Sequence, residues 1–198
     1  MALFGSYALF LRFFPAIPVL LFLFAFQLVG AIAFFLLTHR QGFPLLRKRI
    51  VLLLAGLAAV AILNDLAYFL AFRFTTVANA AVAHQMVSVF LLFLAPTFLH
   101  EKTRKNEWVA LALSFAGITI LYANGLALSE RDVWGITLGL ASAICYAFLI
   151  ILYRYIPTQG LSISAINFWR YSLSTVILFP VVVGFGTFHF TTRDILPL

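Results

Sequence analysis

Residues 67–107 read AYFLAFRFTTVANAAVAHQMVSVFLLFLAPTFLHEKTRKNE. The stretch opens on the end of one apolar run, passes a short polar turn at 75–79, continues as an apolar run over 77–99 and closes on a charged cluster. About 20 residues, rising 1.5 Å each as a helix, cross the roughly 30 Å of bilayer hydrocarbon. The pattern therefore predicts two membrane spans joined by a tight turn, with a basic exit.

The composition agrees. Of 198 residues, 64% are hydrophobic and only 10% charged, with a mean hydropathy of +1.09. A soluble globule normally carries about 25% charged residues, so this chain has too little polar surface to cover one and reads as an integral membrane protein. Its net charge of +7 does not indicate nucleic acid, because the basic residues fall in short loops between apolar runs and form no continuous patch. The single cysteine, Cys145, excludes intrachain disulfides and multi-thiolate metal sites. No cofactor is called for.

Working outward, the apolar runs are 16–38 without charge, 50–72 with only Asp65, 77–99 with only His84, the shorter 108–123, 133–153, and 161–183 with only Arg170. That predicts six spans. Residues 1–11 are apolar but too short to span. They lack a basic start and end near Phe13-Phe14-Pro15, so they read as a truncated helix and not as a signal peptide. Arg40, Arg47, Lys48, Arg49, Lys102, Arg104, Lys105 and Arg154 follow alternate spans, whereas the other set of loops holds Arg12, Arg73, Arg131 and Arg193. The positive-inside rule then places loops 39–49, 100–107 and 154–160 in the cytoplasm and the 75–79 turn outside.

The turn Thr75-Thr76-Val77-Ala78-Asn79-Ala80-Ala81, the exit Phe98-Leu99-His100-Glu101 and the following WVALALSFAG of residues 108–117 resemble the drug/metabolite transporter superfamily with its EamA-type repeats. The resemblance implies an all-α transmembrane bundle, part of a ten-helix fold of two inverted five-helix repeats, that moves small organic metabolites by alternating access. Two departures stand out. The family usually has arginine where this chain has Gln27, which leaves Arg170 to supply the positive site, and Pro96 lies too near the inner end to give the family's midspan kink.

An internal repeat supports the layout. Ser6-Tyr7-Ala8-Leu9 resembles Cys145-Tyr146-Ala147-Phe148, and both Tyr7 to Tyr146 and Pro18 to Pro157 are offset by 139. At that offset Gln27 and Arg170, each the strongest polar residue of its span, fall within about one helical turn. The expected organisation is a first repeat over 1–125, its first helix truncated, and the start of an inverted second repeat over 131–198. From Tyr7 to Asn124 the first copy has 118 positions, and from Tyr146 to Leu198 the second has 53. Roughly 65 residues, about three helices, are thus expected beyond this chain in a protein of roughly 270 to 280 residues. A complete protein of six or seven helices is the alternative.

Ionisable groups within spans are costly and tend to face inward. Asp65 and His84 each lie about seven residues from the outer end of their helices, roughly 10 Å deep. Asp65 shares a face with Tyr68, and His84 with Ser88. Either they form a proton-linked or cation-binding pair facing a cavity, since histidine changes charge near neutral pH, or they hydrogen-bond between helices. Arg170 shares a polar stripe with Asn167 and Ser174. It either binds a substrate carboxylate or phosphate or snorkels to the headgroups. Gln27, Asn64, Asn79, Gln85 and Tyr146 are supporting candidates, as substrate contacts or packing hydrogen bonds. Gly135 and Gly139 have the small-xxx-small spacing of close helix contacts.

The expectation is a secondary transporter whose partners are the lipid bilayer and a small-molecule substrate, in the plasma (inner) membrane. Proton or exchange coupling and a homodimer are left open. The competing classes are a channel, or a scaffold or receptor. A membrane-embedded enzyme lacks the clustered His, nucleophile or paired-carboxylate motif it would need.

Overall fold

The computed structural model describes residues 18–39, 47–99, 105–122, 129–156 and 160–184. The regular structure within these residues is helical: α1 (Val19–His39), α2 (Lys48–Phe74), α3 (Val77–Gln85), α4 (Val87–Leu99), α5 (Lys105–Tyr122), α6 (Glu130–Tyr155) and α7 (Ile163–Gly184). The stub 1–11, the repeat landmarks Tyr7 and Pro157, and parts of the three loops assigned to the cytoplasm lie outside the described residues.

Five helical stretches are long and apolar enough to cross a membrane: Val19–His39, Lys48–Phe74, Val77–Leu99, Glu130–Tyr155 and Ile163–Gly184. The sixth run of the sequence reading does form a helix, α5. Its 18 residues open on Lys105 and Glu107, and it falls short of that measure among the described residues.

Local chemistry sets the boundaries. Between α2 and α3, the Thr76 side chain caps the new helix by accepting from the Asn79 backbone N–H at 3.2 Å. Ser129 and Asp132 form a reciprocal capping box that starts α6. Gly160, at φ 85°, supplies the left-handed residue shortly before α7. The span over 77–99 breaks at Met86 even though no proline stands there. The Met86 N–H bonds to Ala83 O at 3.2 Å, a tightened turn that ends α3 before α4 resumes the span. The helix is thus interrupted two residues after His84 with no proline at the break.

The helices neighbour one another in the order α1, α7, α2, α6 and then α3 with α4, while α5 touches α4 at the edge. Leu54, Leu57 and Ala61 of α2 meet Leu149 of α6 and Ile166 of α7 in the main apolar cluster. Polarity is inverted relative to a water-soluble protein: Val176 is 69% exposed and Leu113 68%, whereas Gln27 and Ser174 are fully buried. Lipid tails solvate such an exterior as well as a core would, so close packing and interhelical hydrogen bonds, more than apolar burial, hold the helices together.

Gly135 and Gly139 show that packing at its tightest. A Cβ on Gly139 would fall 2.7 Å from Ala83 Cβ, and one on Gly135 2.5 Å from Thr75 Cβ. One turn apart on α6, the two glycines let the α2–α3 hairpin rest directly on its backbone. Thr75 Oγ1 donates to Asp132 Oδ1 at 2.7 Å and Arg131 donates to the Arg73 carbonyl at 2.8 Å, which ties the hairpin turn to the start of α6.

Candidate functional site

Asp65 is held by three helices. Its Oδ1 accepts from Asn64 Nδ2 at 2.8 Å, and its Oδ2 accepts from Gln27 Nε2 of α1 at 2.9 Å and from Arg170 Nη2 of α7 at 3.2 Å. The Asp65–Arg170 contact is an ion pair whose side chains are only 14% and 12% exposed. The Arg170 guanidinium also lies 4.3 Å from the centre of the neighbouring Tyr171 ring. Tyr171 in turn stacks on Phe34 of α1, fixing α1 to α7 close to the ion pair.

On α3 the chemistry changes. His84 Nδ1 lies 2.8 Å from Ser142 Oγ, whose own hydroxyl donates to Gly139 O at 2.7 Å. With that proton committed, the hydroxyl accepts from His84 Nδ1–H, and in the neutral ring Nε2 is the remaining acceptor. The imidazole sits between two phenols, 4.3 Å from the Tyr68 ring and 5.2 Å from Tyr146.

Both groups face one cavity of about 390 Å³, lined by Asp65, Arg170, His84 and the rings of Tyr68, Tyr146 and Tyr153 among others. Asp65 and His84 share this cavity without bonding each other. Equal depth in the sequence pairs the two, as a proton-linked or cation-binding pair or through an interhelical hydrogen bond, and neither direct contact forms. In the structure Tyr68, one turn beyond Asp65 on α2, covers His84, and the carboxylate turns towards α1 and α7. The expected Arg170–Asn167 unit is divided as well. Asn167 Oδ1 accepts from the Tyr153 hydroxyl at 2.6 Å while its Nδ2 donates to Ile163 O at 3.1 Å, so it braces α7 against α6, and the Tyr153 phenol rather than Asn167 stands beside Arg170. Gln27 lies against the carboxylate, Tyr146 lines the cavity beside His84, and Asn79 bonds Thr75 at the hairpin turn.

Tyr153 and Ser142 were not singled out in the sequence. Tyr153 had a readable signal: it follows Tyr146 by seven residues, two turns of helix, and so shares its face. Ser142 had none, because a serine in an apolar helix commonly satisfies itself on a nearby backbone carbonyl.

A carboxylate and a guanidinium contributed by helices far apart in sequence are costly to bury within membrane-length helices, and their pairing beside an aromatic-walled cavity marks the candidate site. Residues 1–123 match the EamA-like transporter family. The chain belongs to that family. This EamA-like chain is also similar to the inner membrane transporter YedA of Escherichia coli K12, with 33% identity over 114 residues that cover 58% of the chain and 36% of the relative. The YedA proteins of Escherichia coli O6:H1 and O157:H7 match to the same extent. The matched stretch thus spans little more than a third of the length of these relatives. No solved structure matches the chain. Membership of a transporter family and the run of apolar helices make the protein an integral, multi-pass membrane protein.

Proposed function

We propose that the protein is an inner-membrane secondary transporter of small organic metabolites, and that it works by alternating access between two inverted five-helix halves. Residues 1–125 belong to the first half and 131–198 begin the second. The observation that carries this reading is the Asp65–Arg170 ion pair. It joins α2, on the proposed first half, to α7, on the second, at the wall of the cavity. A substrate entering there competes for the contact that holds the halves together, which couples binding to their relative movement. Arg170 receives the anionic group of the substrate. His84, held by Ser142 with its Nε2 open as an acceptor, is the group suited to proton coupling. The inner-membrane assignment is supported by the name of the YedA relatives.

Proteoliposomes loaded with members of a metabolite panel test the proposal. Saturable uptake stimulated by substrate on the opposite side, with and without an imposed pH gradient, is the expected result. Unitary ion currents in planar bilayers, with no stimulated exchange for any compound, would make the protein a channel instead.

A further inference from the structure

The cavity is walled differently at its two ends. Towards the 75–79 turn, the α2–α3 hairpin lies on α6 along a seam that runs from the end of the helix down to the cavity. Thr75 meets Gly135, and the buried Ala80 and Ala83 meet Gly139, too closely for a Cβ on either glycine. Hydrogen bonds close the seam at both of its limits. At the outer limit, Asp132 Oδ1 accepts from Thr75 Oγ1 at 2.7 Å while its Oδ2 accepts from the Ser129 hydroxyl at 2.7 Å, and Asn79 Nδ2 donates to the same Thr75 oxygen at 3.0 Å. At the cavity, the 2.8 Å contact of His84 with Ser142 ends it. Tyr68 covers His84 and leans on Phe72 with ring centres 4.5 Å apart, which adds a second ring on the same side.

The other end is looser. There the cavity wall reaches Arg154, which is exposed in the last turn of α6. The contact between α2 and α6 near it, from Arg49 Nη2 to the Tyr155 hydroxyl, is exposed and 3.4 Å long, at the limit of a hydrogen bond. The seam also ends at a joint. Two residues after His84, the tightened turn at Met86 separates α3 from α4, and a short tight turn inside a longer helical run commonly marks a hinge. The nine residues of α3 are thus bounded by a break at the cavity and by a hydrogen-bonded tip at the helix end.

We propose that α3 is a gate, hinged at Met86 and latched by the Thr75–Asp132 hydrogen bond, and that this structure is the state closed at the 75–79 end and open towards Arg154. The inference rests on the transport reading above and supplies a moving part for it. A hydroxyl-to-carboxylate bond is stronger than one between neutral groups. At the end of the helix, however, water can satisfy both partners once they separate, so the latch biases the seam without fixing it. The faces that part carry alanines, glycines and Thr75, which do not interlock as branched side chains do. Parting them also releases Ser142 from His84, where the cavity begins, so opening the seam joins the cavity to the 75–79 side.

The test uses the full chain in proteoliposomes on a Cys145→Ala background. Ile150→Cys places a thiol in the cavity wall, and a separate Glu130→Cys variant, exposed at the start of α6, marks the side of the membrane that carries the 75–79 end. A membrane-impermeant methanethiosulfonate is added to one side at a time. Ile150→Cys is expected to react at least about tenfold faster from the side opposite Glu130. Thr75→Val removes the donor at nearly constant shape and is expected to raise the rate from the Glu130 side by about tenfold, whereas Thr75→Ser keeps the donor and the original rate. Oxidation of a Thr75→Cys/Asp132→Cys pair is expected to abolish reaction from the Glu130 side and to stop tracer exchange of the metabolite panel, with reduction restoring both. If that pair does not fold or oxidise, Thr75→Val and Thr75→Ser decide alone. Equal or faster reaction from the Glu130 side before any change to the latch, or no gain with Thr75→Val, overturns the gate. Exchange that persists through the disulfide overturns it while leaving the transport reading intact. The expected labelling without exchange of any compound upholds the gate and removes the transport reading.

Discussion

Replacing Arg170 with glutamine leaves the Asp65 carboxylate in a site that is only 14% exposed, with two amide donors and no counter-charge. At 3.2 Å and an effective dielectric constant of about 20, the direct attraction lost is about 5 kcal/mol. Removing one partner of a buried pair typically costs about 3 to 5 kcal/mol. Gln27 and Asn64 continue to hold the carboxylate, so the cost here belongs at the lower end, about 3 kcal/mol. Asp65→Asn leaves the guanidinium without its counter-charge and should cost a similar amount. The double variant Asp65→Asn/Arg170→Gln removes both charges and replaces them with amides that can bond each other. It should therefore be less destabilised than the sum of the single changes by about 2 to 3 kcal/mol. Denaturant-induced unfolding in mild detergent, followed by tryptophan fluorescence for the wild type and all three variants, gives this coupling energy. Additivity of the two single changes to within about 0.5 kcal/mol would mean that the pair is not a working contact, and the site built on it would fall.

Four further outcomes are expected. Gly139→Val drives a Cβ to 2.7 Å from Ala83 Cβ on a neighbouring helix and should destabilise the same unfolding transition by about 2 kcal/mol. Gly56→Ala, with nothing within 4 Å of its new Cβ, should be neutral or stabilising by up to about 1 kcal/mol; a loss of stability there would show that α2 packs differently. Ser142→Ala removes the acceptor of His84 Nδ1–H and should cost about 1 kcal/mol while altering the pH dependence of tracer exchange. An unchanged pH profile would take proton coupling away from His84. Tyr153→Phe frees Asn167 from its 2.6 Å bond and should lower stability by about 1 kcal/mol in the same unfolding measurement.

The helices were legible because membrane insertion demands long apolar runs, and the hairpin turn was legible because Thr75 and Thr76 interrupt two of them. The Gly135–Gly139 contact was legible because small residues one turn apart allow close approach whatever the partner helix. The break at Met86 was not. Neither proline nor glycine marks it, so nothing local in the sequence announces the tightened turn there.

For the site, the sequence marks which residues are unusual but not which way they turn. In a soluble helix, an apolar stripe against a polar face tells each side chain's direction. Here lipid-facing and protein-facing surfaces are both apolar, so the sequence supplies a depth for Asp65 and His84 and no rotation about the helix axis. Depth alone joins Asp65 to the equally deep His84. Rotation takes it to Gln27, 38 residues away, and to Arg170, 105 residues away. Those are also the two residues that stand as the strongest polar groups of their own spans. In an apolar helix, then, the lone polar residues of other spans are better first partners for a buried charge than the ionisable neighbour at equal depth. The cost of leaving any of them unpaired in hydrocarbon selects the arrangement that satisfies all of them together.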